Sequence, residues 1–230
     1  MKTLAIDTAS PHCSVALQVD EEYQHLIDTG PAVHAQRGLA MVDELMSGFG
    51  IALCDLDYMV CGIGPGSFTG LRVGVGAAQG LAYSGGLKVL GLNSLLAYLS
   101  PSYKPGCYAI ASDARMGQLY SAGFEIHNNG SISETIVTGV FDPAAMDKRF
   151  TQEYSLIGTG WSAYKSSLSD RIRRQIDKVQ SAESGDFPKA KHLLDWAPVT
   201  LAGSGALVKA AELVPFYVRN DVADKPPDKR

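Results

Sequence analysis

An excess of positive charge is missing from this chain of 230 residues: Lys and Arg number 20 against 24 Asp and Glu, a net charge of −4 at pH 7. A broad basic footprint that would hold nucleic acid unaided is therefore excluded, although a basic partner could supply one. Histidine is sparse as well. The five, His12, His25, His34, His127 and His192, form neither HExxH nor any close pair, so their spacing gives no metal site. The four cysteines, Cys13, Cys54, Cys61 and Cys107, lie in separate segments without CxxC spacing, and the opening MKTLAIDTAS lacks the apolar run and cleavage site of a signal peptide. Reduced thiols and a cytoplasmic protein are expected. No unbroken apolar stretch is long enough to cross a bilayer, and no membrane association is expected.

What is present is a clear alternation of strand and helix patterns. KTLAIDT (2–8) and CSVALQV (13–19) read as a hairpin around ASPH, and EYQHLIDT (22–29) as a third antiparallel strand. From 35 to 49 the period becomes helical, with Leu39, Val42, Met46 and Phe49 on one side, Met41 and Leu45 widening it, and Gln36, Asp43 and Ser47 opposite. A buried strand at about 57–63, a glycine-rich turn and helix, a strand at 87–92 and a helix starting at Asn93 or Ser94 follow, which is a crossover unit on a mainly parallel sheet. PSYKPG (101–106) is the expected boundary between halves. Beyond it the pattern restarts: strands at 107–114, 116–126 and 131–140 repeat the opening meander, with Asp113 ending the first strand as Asp7 does. Strand, helices and an extended segment close the chain. The predicted division is 1–103 for a first lobe with 211–223 packing back on it, 104–210 for a second lobe, and a disordered charged tail at 224–230.

The stretch GIGPGSFTGLRVGVGAAQGLAY (62–83) carries seven glycines and then reads as a helix. Each interior glycine lowers helix stability by about 1 kcal/mol relative to alanine, so something must compensate. A P-loop is excluded, because Gly70 is followed by Leu71 and Arg72 where that motif needs Lys and Ser or Thr. GPGSFTG is one residue too long for a dinucleotide fingerprint and holds Pro65 inside the turn. A nucleophile elbow fails at Pro65 and Thr69, which stand where glycines would flank Ser67.

With Ser67 as cap, Arg72, Gly76, Gln79 and Tyr83 fall on one narrow stripe, and Leu71, Val73, Val75, Ala78 and Leu81 cover most of the remaining circumference. Such a helix is buried on more than one side. Gly70, Gly74 and Ala78 are spaced to admit another backbone, which the chain itself or a partner could provide. A phosphate bound by amides of the GPGSFTG turn stays open as a third source of compensation.

The segments LAIDTASPHCSVAL (4–17), HAQRGLAMVDELM (34–46), GIGPGSFTGLRVGVGAAQGLAY (62–83), SDARMGQLYSAGF (112–124), GTGW (158–161) and PFYVRNDVA (215–223) resemble, in this order, the bacterial TsaB (YeaZ) family. That resemblance implies an α/β fold of the actin/hexokinase/Hsp70 type, with two duplicated lobes, each a mixed sheet flanked by helices. It also implies a part in making threonylcarbamoyladenosine in tRNA. In that pathway the paralogous TsaD transfers the threonylcarbamoyl group, TsaB is its partner, and the ATPase TsaE joins them; tRNA is met only through the complex. A homodimer is the alternative assembly when TsaD is absent.

The resemblance assigns this chain no catalytic residue, metal or cofactor. TsaD-type paralogues carry an HxxxH metal pair where this chain has VLGLNSLLAYLS (89–100), with Asn93, Ser94 and Tyr98 near the expected places and no histidine. The implied partner interface is the helix pair 35–49 and 67–83, with Met41, Leu45, Phe49, Gly70, Val73, Gly74 and Ala77 as its residues. Gly74→Leu is expected to break a partner complex by overpacking. Asp7, Thr8 and Asp113 mark a weak nucleotide cleft, since Thr8 and Ala114 stand where active kinases of this fold have glycines. A small-molecule kinase or ATPase of the same fold is the alternative function. A peptidase lacks both metal ligands and a nucleophile.

Overall fold

Apolar runs short enough for strands and periodic enough for helices assort as those patterns dictate in the computed structural model, which describes residues 1–30, 34–179 and 187–219. The strands are β1 (Lys2–Asp7), β2 (Cys13–Val19), β3 (Glu22–Asp28), β4 (Tyr58–Gly64), β5 (Lys88–Asn93), β6 (Gly106–Asp113), β7 (Leu119–Ile126), β8 (Ile132–Phe141), β9 (Ser155–Ile157) and β10 (Val208–Lys209). The helices are α1 (His34–Phe49), α2 (Phe68–Gly85), α3 (Gly160–Ala163), α4 (Asp170–Val179) and α5 (Ala190–Ala202). Among the described residues they form a six-stranded sheet ordered β10-β5-β4-β1-β2-β3 and a four-stranded sheet ordered β8-β7-β6-β9. Pairs β1–β4, β4–β5 and β6–β9 are parallel, while the two meanders are antiparallel. This is the mixed-sheet, two-lobe fold of the actin/hexokinase/Hsp70 type.

The period of two along β1 sorts residues between cores. Leu4 and Ile6 join Met41, Val42, Leu45 and Met46 of α1 and Val75, Ala78 and Ala82 of α2 in an outer core on one face of the first sheet. Ala5 faces the other way, beside Ala16, its register partner on β2. The two small side chains let α5 lie close across β1 and β2, where Leu193, Trp196 and Ala197 meet Val60, Leu90 and the inward residues of the second sheet, Ile110, Ala122 and Phe124. A third core, around Trp161, Leu168 and Ile172, covers the far face of the second sheet with α3 and α4.

Two departures from the sequence pattern are instructive. The helix expected from Asn93 is a short 3-10 segment, Ser94–Tyr98, capped by the Asn93 side chain, which accepts from the Leu95 N–H at 2.9 Å. Its inward side chains are held by the central core, and the chain turns away before Pro101. The return to the first lobe, expected from 211, begins with α5 instead. Its first amide, Ala190 N–H, donates to Ser14 Oγ at 2.8 Å, and the Trp196 indole N–H donates to Leu99 O at 2.7 Å. β10 then pairs with β5. The tail at 224–230, and residues 220–223 of the returning segment, lie outside the described residues.

Candidate functional site

Ser67 caps α2 as expected, its Oγ accepting from the Gly70 N–H at 3.2 Å. The glycines before and within α2 divide into two sets. A Cβ on Gly66 would collide with Ala9 O, on Gly70 with Thr8 O, and on Gly74 with Thr8 Oγ1. These three therefore let the end of β1 press against the start of α2, and the contact is closed by hydrogen bonds: Thr8 Oγ1 donates to Gly70 O at 2.7 Å and Ser67 N–H to Ala9 O at 2.7 Å. The amides of Ser67 and Gly70 thus bond within the chain, as does Gly64 N–H, which donates to Ser94 Oγ at 3.0 Å. A Cβ on Gly76 or Gly80, in contrast, would meet nothing within 4 Å.

This sorting bears on where the expected interface residues sit within the chain itself. Met41 and Leu45 are 1% and 2% exposed and belong to the outer core, and Gly70 and Gly74 are buried against Thr8. The Gly74→Leu expectation changes accordingly: the new side chain would strike Thr8 of its own chain first. Phe49, Val73 and Ala77 are half-buried. The outward faces of the adjacent helices α1 and α2 present Leu39, Arg72, Gly76, Gly80 and Tyr83. The helical period puts Leu39 in the buried stripe, yet it is 47% exposed, because the inward arc of α1 centres on Met41, Val42, Leu45 and Met46.

Asp7 and Asp113 end the first strands of the two sheets, and each is engaged locally. Asp7 is buried, and its Oδ1 accepts from the Ala9 N–H at 3.2 Å. Burial pushes its carboxyl up to about 6, against the opposing pull of the Ser94 hydroxyl and the Ala9 N–H. The Gly62 Cα lies directly against that carboxyl, leaving no room for a side chain there. Asp113 Oδ1 accepts from the Arg115 N–H at 2.7 Å and from the Tyr164 hydroxyl at 2.6 Å, and the phenol is held above its ordinary range by that bond. Thr8 turns its hydroxyl toward α2. Asn93 caps the 3-10 segment and donates to Thr138 Oγ1 at 2.6 Å, Ser94 serves Gly64, and Tyr98 is buried in the central core. Among the described residues no group of three or more His, Cys, Asp and Glu is placed to hold a metal ion, and no helix is long and apolar enough to cross a membrane.

Sequence periodicity does not reveal one feature, the bridging role of the segment Leu213–Arg219. Leu213 is buried, and its carbonyl accepts from Gln79 Nε2 at 2.9 Å. Phe216 N–H donates to Ile63 O at 2.7 Å, and Gly64, at φ +119°, makes room for the Phe216 carbonyl. Arg72 Nε donates to the Tyr217 hydroxyl at 3.0 Å, and its guanidinium lies 3.7 Å from the centre of the Phe68 ring. Arg219 then reaches the other sheet, donating to Ala114 O at 3.2 Å and Gln118 Oε1 at 2.5 Å in the β6–β7 turn. The segment is a strap between lobes. The one signal of it in the sequence is the PFYVR motif, which reads as an extended segment. The GTGW loop acts locally, since Gly158 and Gly160 abut Ala111, and the Trp161 indole N–H donates to Ala109 O and Ile157 O at 3.1 and 3.0 Å.

Comparison with known proteins agrees with this architecture. Residues 31–224 match the family model described as TsaD, tRNA N6-adenosine threonylcarbamoyltransferase. The chain is 34% identical over 231 residues to the tRNA threonylcarbamoyladenosine biosynthesis protein TsaB of Escherichia coli, covering 98% of this chain and 97% of the relative. It is 31% identical to the protein of the same name from Haemophilus influenzae, covering 96% and 95%. Among solved structures, YeaZ from Pseudomonas aeruginosa superposes with a TM-score of 0.76 at 30% identity, covering 94% of this chain and 99% of that one. A second structure, described as an uncharacterized protein similar to peptidase YeaZ from the same organism, gives 0.78 at 30% identity, covering 95% and 99%.

Proposed function

The chain belongs to the TsaB (YeaZ) family and carries its TsaD-type domain, and from that premise we propose that it is a non-catalytic scaffold subunit required for threonylcarbamoyladenosine modification of tRNA. It binds and activates a TsaD-type transferase subunit, and a TsaE-type ATPase joins the pair. The observation that carries the docking face is the pair Gly76 and Gly80, whose open side faces no atom of this chain. Helix instability of about 1 kcal/mol per glycine is retained there without an internal contact to offset it, which is understandable if another helix packs close. Val73, Ala77 and Phe49 flank that strip, and Leu39 and Tyr83 add apolar surface beside it. The same face would accept a second copy of the chain when the TsaD-type subunit is absent.

The non-catalytic assignment is supported by the local engagement of Asp7, Thr8 and Asp113 and by Asn93, Ser94 and Tyr98 at the positions of the paralogues' metal pair. Calorimetric titration with the TsaD-type subunit of the same organism, repeated with ATP and with zinc in its place, tests the assignment. Tight binding to the subunit with little heat from ATP or zinc is the expected result. Saturable ATP binding without subunit binding would overturn it in favour of a kinase or ATPase of the same fold.

A further inference from the structure

The strap and the first turn of α2 together expose an aromatic and guanidinium patch that the docking of α2 leaves unexplained. Phe68 is 44% exposed and Tyr217 41%, their ring centres 5.7 Å apart and tilted by 37°. Arg72 lies over one face of Phe68 and hydrogen-bonds the Tyr217 hydroxyl, so the two rings and the planar cation are held as one unit. Two residues beyond Tyr217 stands Arg219, and the β6–β7 turn that it grips carries Arg115, whose side chain is 80% exposed. A chain with a net charge of −4 thus gathers Arg72, Arg115 and Arg219 along one short path, with Asp113, already bonded to Tyr164, as the carboxylate beside Arg115. Two exposed rings braced by a guanidinium, with further arginines alongside, are suited to stacking unpaired bases while the cations meet phosphates.

We propose that Phe68, Tyr217 and Arg72 form a stacking platform for unpaired bases of an RNA loop, with Arg115 and Arg219 facing its backbone. This rests on the assignment to tRNA modification and gives the subunit a direct RNA contact. The platform adjoins the α2 strip that faces a protein partner, since Gly76 and Gly80 continue the stripe of Phe68 and Arg72 at four-residue spacing, while Tyr217 stands on the strap outside that helix.

The test uses the whole chain, alone and with the TsaD-type subunit, at low salt. The probes are an RNA hairpin carrying an anticodon loop and a blunt RNA duplex of matching length. The parent is expected to prefer the hairpin, and Phe68→Leu and Tyr217→Leu, which keep apolar bulk but remove the ring, are each expected to weaken hairpin binding about tenfold. Arg72→Lys, which keeps charge but not the planar cation, should weaken it too. Ultraviolet crosslinking of the parent is expected to place nucleotide adducts on peptides containing Phe68 or Tyr217. Thermal midpoints confirm folding of the variants, and binding of Tyr217→Leu, the substitution that lies off α2, to the TsaD-type subunit is expected to match the parent's. Equal affinity of parent and variants for the hairpin, no preference for it over the duplex, or no RNA binding by the parent in either form overturns the platform. Loss of subunit binding with RNA binding intact also overturns it, making the patch a protein contact. Failure of the parent to bind the TsaD-type subunit would instead count against the scaffold assignment.

Discussion

Alanine at Gly70 and alanine at Gly76 are the same chemical change on the same helix, and they should move stability in opposite directions. At Gly76 the added methyl enters open space. The gain is the helix propensity difference, about 1 kcal/mol, and the double variant Gly76→Ala/Gly80→Ala should gain about 2 kcal/mol. For a chain of this size that raises the melting midpoint by about 2–4 °C per kcal/mol. At Gly70 the methyl would occupy the place of Thr8 O. Overpacking costs about 1–3 kcal/mol, and separating Thr8 from the Gly70 carbonyl forfeits a buried hydrogen bond of about 1 kcal/mol. Less the propensity gain, Gly70→Ala should lose about 1–3 kcal/mol. Urea titrations of the three variants beside the parent measure both signs. The stabilised double variant is then titrated with the TsaD-type subunit, where the two methyls should reduce affinity at least about tenfold, some 1.4 kcal/mol, by holding the partner helix away. Stabilisation at Gly70, or destabilisation at Gly76 comparable to that at Gly70, would refute the division of the glycines.

Three further outcomes concern groups away from α2. Burial raises the Asp7 carboxyl from 3.8 to about 6, so its contribution to stability is full below about pH 4 and is lost as pH rises through 6, a change of about 3 kcal/mol. Asp7→Asn should therefore be more stable than the parent at pH 7.5, and equal pH dependence of the two proteins between pH 4 and 6 would contradict this. His192 runs the opposite way: burial lowers it from 6.5 to about 4, outweighing the Ala97 carbonyl that accepts from Nδ1 at 2.8 Å. Its contribution is present above 6.5 and lost as pH falls toward 4, so His192→Gln should flatten the acid side of the stability curve in chemical denaturation. Arg219→Ala removes donors to Ala114 O and Gln118 Oε1 and should cost about 1–2 kcal/mol, with faster proteolytic cleavage near the strap as the readout. Unchanged cleavage would mean that the strap is held from the α2 end alone.

The strands of both meanders were legible because alternation and turn residues act over a few neighbours. β1, β2 and β3 match the predicted runs to within a residue at each end. That Gly70 and Gly74 admit a close approach was also legible, but its source was not, because Thr8 is 62 residues from Gly70 in sequence. Met41 and Leu45 read equally well as core or interface, since both uses require the same side chains, and only the position of the sheet beneath α1 decides between them. α5 was hardest to place. AKHLLDWAPVTLA is apolar on more than one side, and nothing local shows that those sides meet two different sheets. The strap was legible as an extended segment that packs back on the first lobe, but its reach to the β6–β7 turn was not, because an extended chain without sheet pairing has no period to show what it touches.

The position of α5 at the centre of the molecule also sets an order of events during synthesis. β1, β2, β4 and β5 are all made by residue 93, yet the helix that covers Ala5, Ala16, Val60 and Leu90 ends at residue 202. At about 5–20 residues per second, the growing chain carries one uncovered apolar sheet face for many seconds before the helix leaves the ribosome. Nascent chains stalled before Ala190 should therefore behave as chaperone clients and aggregate when released, whereas chains that include α5 close their own core.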